Sequence, residues 1–153
     1  MEAVEVEHGQ DVFIDYGCGM GRILALASAY PFSRVIGVEI SPRLVDIAGR
    51  NIANYRGRRL CQNIQIWKGS ADQFEMPADA SVFYFFNPFH GQTLANVFDR
   101  IGRSLATNPR RLQIVFNNPG HFEKIAANYS WLRIRQRFSF EHHCIIYNSL
   151  DPT

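Results

Sequence analysis

Three glycines at alternate positions, Gly17, Gly19 and Gly21, follow an acid, Asp15, that closes a short apolar run from Val12 to Ile14. Glycine lets a backbone take positive φ and leaves no side chain between chain and ligand. A helical pattern opens directly afterwards, so its unpaired N–H groups and the positive end of its dipole would face the same space. Strand, glycine loop and helix make a binding turn of the nucleotide type. The dinucleotide fingerprint, begun from Gly17 and Gly19, needs a third glycine at position 22, where this chain has Arg22. The spacing present is D-x-G-x-G-x-G.

Other residues able to do chemistry recur at the ends of later apolar runs. Glu39 ends Val35-Ile-Gly-Val38, and an ionised carboxylate there can accept from both hydroxyls of a ribose. Ala71 and Asp72 lie in the turn after a third run, where Asp72 also suits a helix N-cap. Asn87-Pro88-Phe89-His90 follows the most apolar run, Val82 to Phe86. His90 is the side chain there suited to general-base work, because its ordinary pKa is near neutrality. Asn117-Asn-Pro-Gly-His121 follows the next run and puts His121 at the edge of the same region.

The elements that must position these residues read in order. Strands are expected at Val12 to Ile14, Arg34 to Glu39, Ile64 to Lys68, Val82 to Phe86 and Arg111 to Phe116. Helices are expected from Gly21 to Tyr30, stopped by Pro31, and from Ser41 through Ile52. Two more are expected on Leu94, Val97, Phe98, Ile101 and Leu105, and from Phe122 to Tyr129. Trp131 to Phe140 and His143 to Asn148 read as an antiparallel hairpin. Arg133, Arg135 and Arg137 alternate, so all three should project from one face, as a solvated surface or a row able to track phosphates. Arg56 to Arg59 reads as cations closing a helix C-terminus.

Taken together, these landmarks resemble the class I, Rossmann-like, S-adenosylmethionine-dependent methyltransferases, over roughly residues 12 to 149. The resemblance implies a doubly wound, mostly parallel seven-stranded α/β sheet with helices on both faces and a C-terminal antiparallel hairpin. It implies S-adenosylmethionine as cofactor, with Gly17, Cys18, Gly19 and Gly21 along the methionine part. Asp15 would organise that loop and reach the methionine amine, directly or through water; Glu39 would hold the ribose, Ile40 would lie against the cofactor, and Ala71 with Asp72 would hold the adenine. Many members that act on amino groups carry Asn/Asp-Pro-Pro-aromatic after the fourth strand. This chain is similar at Asn87 and Pro88 but has Phe89 where the second proline stands. Asn87, which would also touch the cofactor, and Pro88, Phe89 and His90 would meet the methyl acceptor, which stays undetermined, an amine or amide nitrogen among the options. The helices that usually precede the first strand in that family are absent, so the chain is either a trimmed domain or one with an open pocket.

Bulk properties narrow the class. The 153 residues suit one domain, read as a polar lead over 1–11 and a single unit over 12–153. A net charge of +2 does not by itself support a nucleic-acid partner. No apolar run is long enough to span a membrane. Three scattered cysteines without a secretory signal read as reduced, in a cytoplasmic setting. No metal-ligand spacing is visible. Two alternatives remain: a non-catalytic S-adenosylmethionine-binding or interaction domain, and a nicotinamide-dependent oxidoreductase.

Overall fold

The computed structural model describes residues 3–120, 122–139 and 143–150. His121 and His142 lie outside the described residues. Seven strands form one sheet: β1 (Val12–Tyr16), β2 (Arg34–Glu39), β3 (Ile64–Lys68), β4 (Ala80–Phe86), β5 (Gln113–Asn117), β6 (Leu132–Ser139) and β7 (His143–Ser149). Four helices connect them: α1 (Arg22–Ala27), α2 (Pro42–Asn54), α3 (Gly91–Thr107) and α4 (Phe122–Ala126). The strand order is β3-β2-β1-β4-β5-β7-β6. Pairing is parallel from β3 through β5, and β7 enters antiparallel against β5 with β6 outside it. The chain winds outward on both sides of the β1/β4 boundary. In such sheets the crevice beyond the carboxyl ends of the strands at that boundary is where ligands bind.

Two apolar layers sandwich the sheet. On one face, Phe13, Val35, Val82 and Val115 meet Leu24 and Ala27 of α1. On the other, Ile14, Phe83, Phe85, Ile114 and Phe116 meet Leu94, Val97, Phe98 and Ile101 of α3 and Phe122 of α4. Within this second layer a row of rings crosses three strands in register. Tyr16 stacks on Phe85 at 5.1 Å and Phe85 on Phe116 at 5.2 Å. Offset ring stacking adds to the burial each ring contributes. The row sits at or one residue short of the carboxyl ends of β1, β4 and β5, so it forms a rigid floor under the crevice.

Two helices are shorter than their sequence patterns. α1 ends at Ala27 because the carbonyl of Ser28 accepts from Leu60 and Cys61 of an incoming loop, at 2.7 and 3.0 Å. The chain then leaves through a turn, with Tyr30 N donating to Ala27 O. α4 ends at Ala126 in i→i−3 bonds, Asn128 N to Ile125 O and Tyr129 N to Ala126 O, the tighter geometry common at helix ends.

The arginine row of β6 does not share one face. The register of β6 on β7 shifts between Ile134 and Gln136. A bulge of this kind re-aims the side chains around it. Arg135 turns to Glu5, with nitrogen to oxygen at 2.5 Å, and Arg137 reaches Glu123 of α4 at 3.5 Å. Within the Arg56–Arg59 stretch, Arg59 donates to the carbonyls of Ile52 and Tyr55 at the end of α2.

The stretch before β1 has specific contacts. Val4 is buried against the α1-side layer, and Glu5 exchanges backbone bonds with the Gln113 amide. Asp11 accepts from Ser81 Oγ at 2.7 Å, and Ser81 Oγ accepts in turn from Val12 N. No helix among the described residues is long and apolar enough to cross a membrane.

Candidate functional site

A cleft of about 380 Å³ opens beyond the carboxyl ends of β1, β2, β3 and β4. That is within the size range of small-molecule sites. Its walls include Gly17 and Gly19 from the glycine loop, Glu39 and Ile40 after β2, Ala71 after β3, and Phe89 after β4. Residues separated by more than 70 positions in sequence are thus brought together because each terminates a neighbouring strand.

The glycine loop is held by a network that the sequence does not announce. Gly17 N and Cys18 N both donate to Val38 O, at 2.8 and 3.1 Å. Gly19 N donates to Glu39 Oε2 at 2.9 Å, and Ser41 N donates to Glu39 Oε1 at 2.9 Å. Asn51 of α2 adds a bond to Met20 O at 2.9 Å. Glu39, 7% exposed, therefore clamps the loop to the start of α2. Each carboxylate oxygen retains accepting capacity for a further donor from the cleft.

Asp15 does not organise the loop as expected. It lies within β1 at 2% exposure, and its Oδ2 has no partner among the described residues. Burial, reinforced by the nearby Glu39 charge, pushes its carboxyl up to about 8. It does not line the cleft. Cys18 also turns away: it is 6% exposed and packs where a side chain on Gly37 would stand, with Sγ 2.6 Å from that glycine's Cβ position. Desolvation first, then the Asp15 and Glu39 charges, push its thiol up to about 12. Cys18 is thus a packing residue, and its N–H is already used by Val38 O.

Gly17 and Gly19 serve different needs. Both have positive φ, 79 and 54. A Cβ on Gly17 would stand 2.4 Å from the Cβ of Pro88, whereas one on Gly19 would meet nothing within 4 Å. Gly17 lets the β4 turn press onto the loop; Gly19 leaves open space. Gly17→Ala should therefore cost on the order of 2 kcal/mol of stability through clash and strain. Gly19→Ala should lose less stability and more ligand affinity. Thermal melts of the two variants, with and without ligand, would check this split; equal behaviour would refute it.

After β3, Ser70 and Ala71 line the cleft and Asp72 does not. The Asp72 carboxylate accepts from Ser70 Oγ and from Asn96 Nδ2 of α3. The Ser70 bond first, then the Asn96 bond, hold its pKa below the ordinary value. After β4, Pro88 and Phe89 line the cleft. The Phe89 ring meets Tyr16 and Phe85 edge-on, with centroids 6.3 Å away in both cases, so the aromatic floor fixes it as a wall. Asn87 is exposed at φ 41, and His90 is exposed at the start of α3. Residues that sequence reasoning passed over include Ser41 and Asn51, whose contacts are long-range or need the fold, and Leu44 and Thr93, which line the cleft from α2 and α3.

The charge pattern limits what the cleft suits. Glu39 is the one charged side chain among its lining residues. A pyrophosphate would find no cation there. What the cleft offers is the accepting carboxylate of Glu39 and, beside it, the apolar side chain of Ile40 at 67% exposure.

A model of the methyltransferase-domain family matches residues 13–108. The chain belongs to that family. Over 95 residues it is 37% identical to a histone-lysine N-methyltransferase, H3 lysine-79 specific, from Dictyostelium discoideum; the match takes in 55% of this chain and 5% of that protein. The chain thus spans a small part of that curated relative. A SAM-dependent methyltransferase from Methanosarcina mazei shares the fold at TM-score 0.70 and 11% identity, covering 95% of each chain. An RNA methyltransferase from Salinibacter ruber, in complex with S-adenosyl-L-homocysteine, superposes at TM-score 0.66 with 18% identity, covering 95% of this chain and 85% of that one. At these identities the two structures speak to fold. The family membership sets aside the nicotinamide-dependent alternative, in agreement with a cleft that lacks cations.

Proposed function

We propose that this domain is an S-adenosylmethionine-dependent methyltransferase that uses the Glu39 cleft for its cofactor. The observation carrying this reading is a family-matched cleft whose one charged lining residue, Glu39, is both a hydrogen-bond acceptor and the clamp of the glycine loop. Bound there, S-adenosylmethionine supplies a methyl group on a sulfonium, open to direct displacement by a nucleophile. Glu39 accepts from the ribose hydroxyls. The backbone of Gly17 and Gly19 approaches the methionine part, and Ile40 and Ala71 flank the adenine. The buried Asp15 contributes negative potential beneath a cationic ligand when it ionises. Asn87 and Pro88 present the acceptor, and Phe89 excludes water from one side. His90, exposed at the acceptor side, takes a proton where the acceptor must lose one. The chain's task is alignment and water exclusion, since the donor is already activated. The three free thiols support a reducing, cytoplasmic setting.

Calorimetric titration of the folded protein with S-adenosylmethionine and S-adenosylhomocysteine tests the first half of this reading. Saturable binding with one-to-one stoichiometry is expected. A folded protein that binds neither would sink it. Binding with no transfer to any acceptor class would instead favour a non-catalytic cofactor-binding domain.

A further inference from the structure

Charge is unevenly placed along this chain. Residues 40–70 carry six of its sixteen cations and one of its fourteen acids, which leaves ten cations and thirteen acids on the rest. The net charge of +2 therefore hides a basic segment on an otherwise acidic chain. That segment folds as α2, the turn after it and the edge strand β3. α2 turns Ala48 and Ile52 toward the α1-side layer. Arg43 and Arg50 are seven residues apart, about two helical turns, so they share the opposite face, and both are exposed. Asn54 stands about one turn beyond Arg50 and is exposed too.

The turn after α2 extends the row. Arg59 folds back, donating to the carbonyls of Ile52 and Tyr55 and lying 5.5 Å over the Tyr55 ring. Gly57 makes room for that packing, since a Cβ there would collide with the Tyr55 hydroxyl. The turn is thereby pinned, and Arg56 and Arg58, on either side of Gly57, are left exposed. Arg34, Arg111, Arg135 and Arg137 are each answered by a carboxylate oxygen within 3.5 Å. Arg43, Arg50, Arg56 and Arg58 form no ion pair among the described residues, although Asp46 lies on α2 between the first two.

Unanswered charges of one sign in a row set up a local potential that draws a polyanion. The guanidinium fork matches phosphate oxygens, and exposed carboxamides also contact a phosphate backbone. A single small anion would use one end of a row that runs the length of α2, roughly 20 Å at 1.5 Å per residue. The apolar centre that protein interfaces bury is missing. Within residues 41–70, Leu60 is the one large apolar side chain exposed.

We propose that the outer face of α2 is a docking surface for the phosphodiester backbone of a nucleic-acid strand, held by Arg43, Arg50, Arg56 and Arg58. The row begins at the rim of the Glu39 cleft, because Leu44, next to Arg43, lines it. A strand docked along α2 thus reaches the cleft at one end. Docking of this kind requires no cofactor, so its failure and that of the proposed function are separate results.

Fluorescence anisotropy with short labelled oligouridylate, oligothymidylate and duplex RNA tests this, with polyglutamate and phosphatidylserine vesicles as rival ligands. Saturable binding of a nucleic-acid probe is expected at low salt, and the tightest probe identifies the source. For a single strand, log affinity should fall against log salt with a slope of about −2 to −3, the value for three or four phosphate contacts. The triple variant Arg50→Gln, Arg56→Gln, Arg58→Gln spares Arg43 beside the cleft and Arg59, which closes α2. It should weaken binding tenfold or more and flatten the salt slope. Arg103→Gln, Lys124→Gln, Arg133→Gln removes the same charge from exposed positions on α3, α4 and β6 and should weaken binding less than twofold. Asp46→Asn, which removes the acid from the row, should tighten binding severalfold. Melting temperatures should stay unchanged throughout. No saturable binding of any nucleic-acid probe, equal weakening by the two triple variants, no gain from Asp46→Asn, or tighter binding of polyglutamate or vesicles would each overturn the proposal.

Discussion

Glu39→Ala should weaken cofactor binding by at least tenfold and loosen the glycine loop together. In the folded chain the carboxylate takes N–H groups from both Gly19 and Ser41. Removing it leaves two backbone donors without partners and takes away the cleft's one charged lining residue. Hydrogen bonds to a charged group are worth about 1.5–3 kcal/mol each, and solvent entering the space left behind offsets part of that. The expected stability loss is therefore on the order of 2 kcal/mol, with a loss of cofactor affinity of at least tenfold. Glu39→Gln separates the two roles. A carboxamide retains one acceptor oxygen, so it can hold Gly19 or Ser41 but not both. It should recover about half of the stability and little of the affinity, since a neutral amide accepts more weakly from a diol. Differential scanning calorimetry and titration calorimetry on the two variants read the roles independently. Full cofactor affinity in Glu39→Ala would place the ribose elsewhere.

The second large effect concerns Asp15 and has a definite sign. Burial, ahead of the Glu39 charge, pushes its carboxyl from an ordinary 3.8 up to about 8. Between those values the folded protein keeps a proton that the unfolded chain releases. Stability is then fully present below about pH 4 and falls as pH rises toward 8. Asp15→Asn keeps the shape and removes the titration. At pH 8 the variant should be more stable than the natural chain by on the order of 5 kcal/mol, and the difference should shrink toward zero at pH 4. Chemical denaturation across that range measures it. A flat difference would show that Asp15 is ionised when buried, with water or an ion as its partner. The same residue should couple to ligand charge. A cation bound in the adjoining cleft favours the ionised form, so titration at pH 7 in buffers of different ionisation enthalpy should reveal proton release that Asp15→Asn abolishes.

Much of the architecture is written locally. Alternate glycines after an apolar run, apolar stretches of strand length, and helical spacing in Leu94, Val97, Phe98 and Ile101 each follow from backbone periodicity. That is why the strand sequence, the closing hairpin and the approximate ends of α2 and α3 were legible before any fold was known. The residues at the strand ends were legible too, because a parallel sheet must gather those ends at one edge. What each of them does there was decided by contacts across the sheet. Asp15 and Glu39 are both acids at strand ends, yet one is sealed beneath the loop and the other grips it. Cys18 turns inward because Gly37, on a different strand, leaves room for its sulfur. Arg135 and Arg137 part company because a bulge breaks the twofold alternation from which one face was inferred. The sequence by itself determined which elements form and which side chains stand at the carboxyl edge, since both are consequences of local period and chain topology. Only the tertiary structure decided burial, register and pairing among those side chains, because desolvation and hydrogen-bond partnership depend on atoms that are far away along the chain.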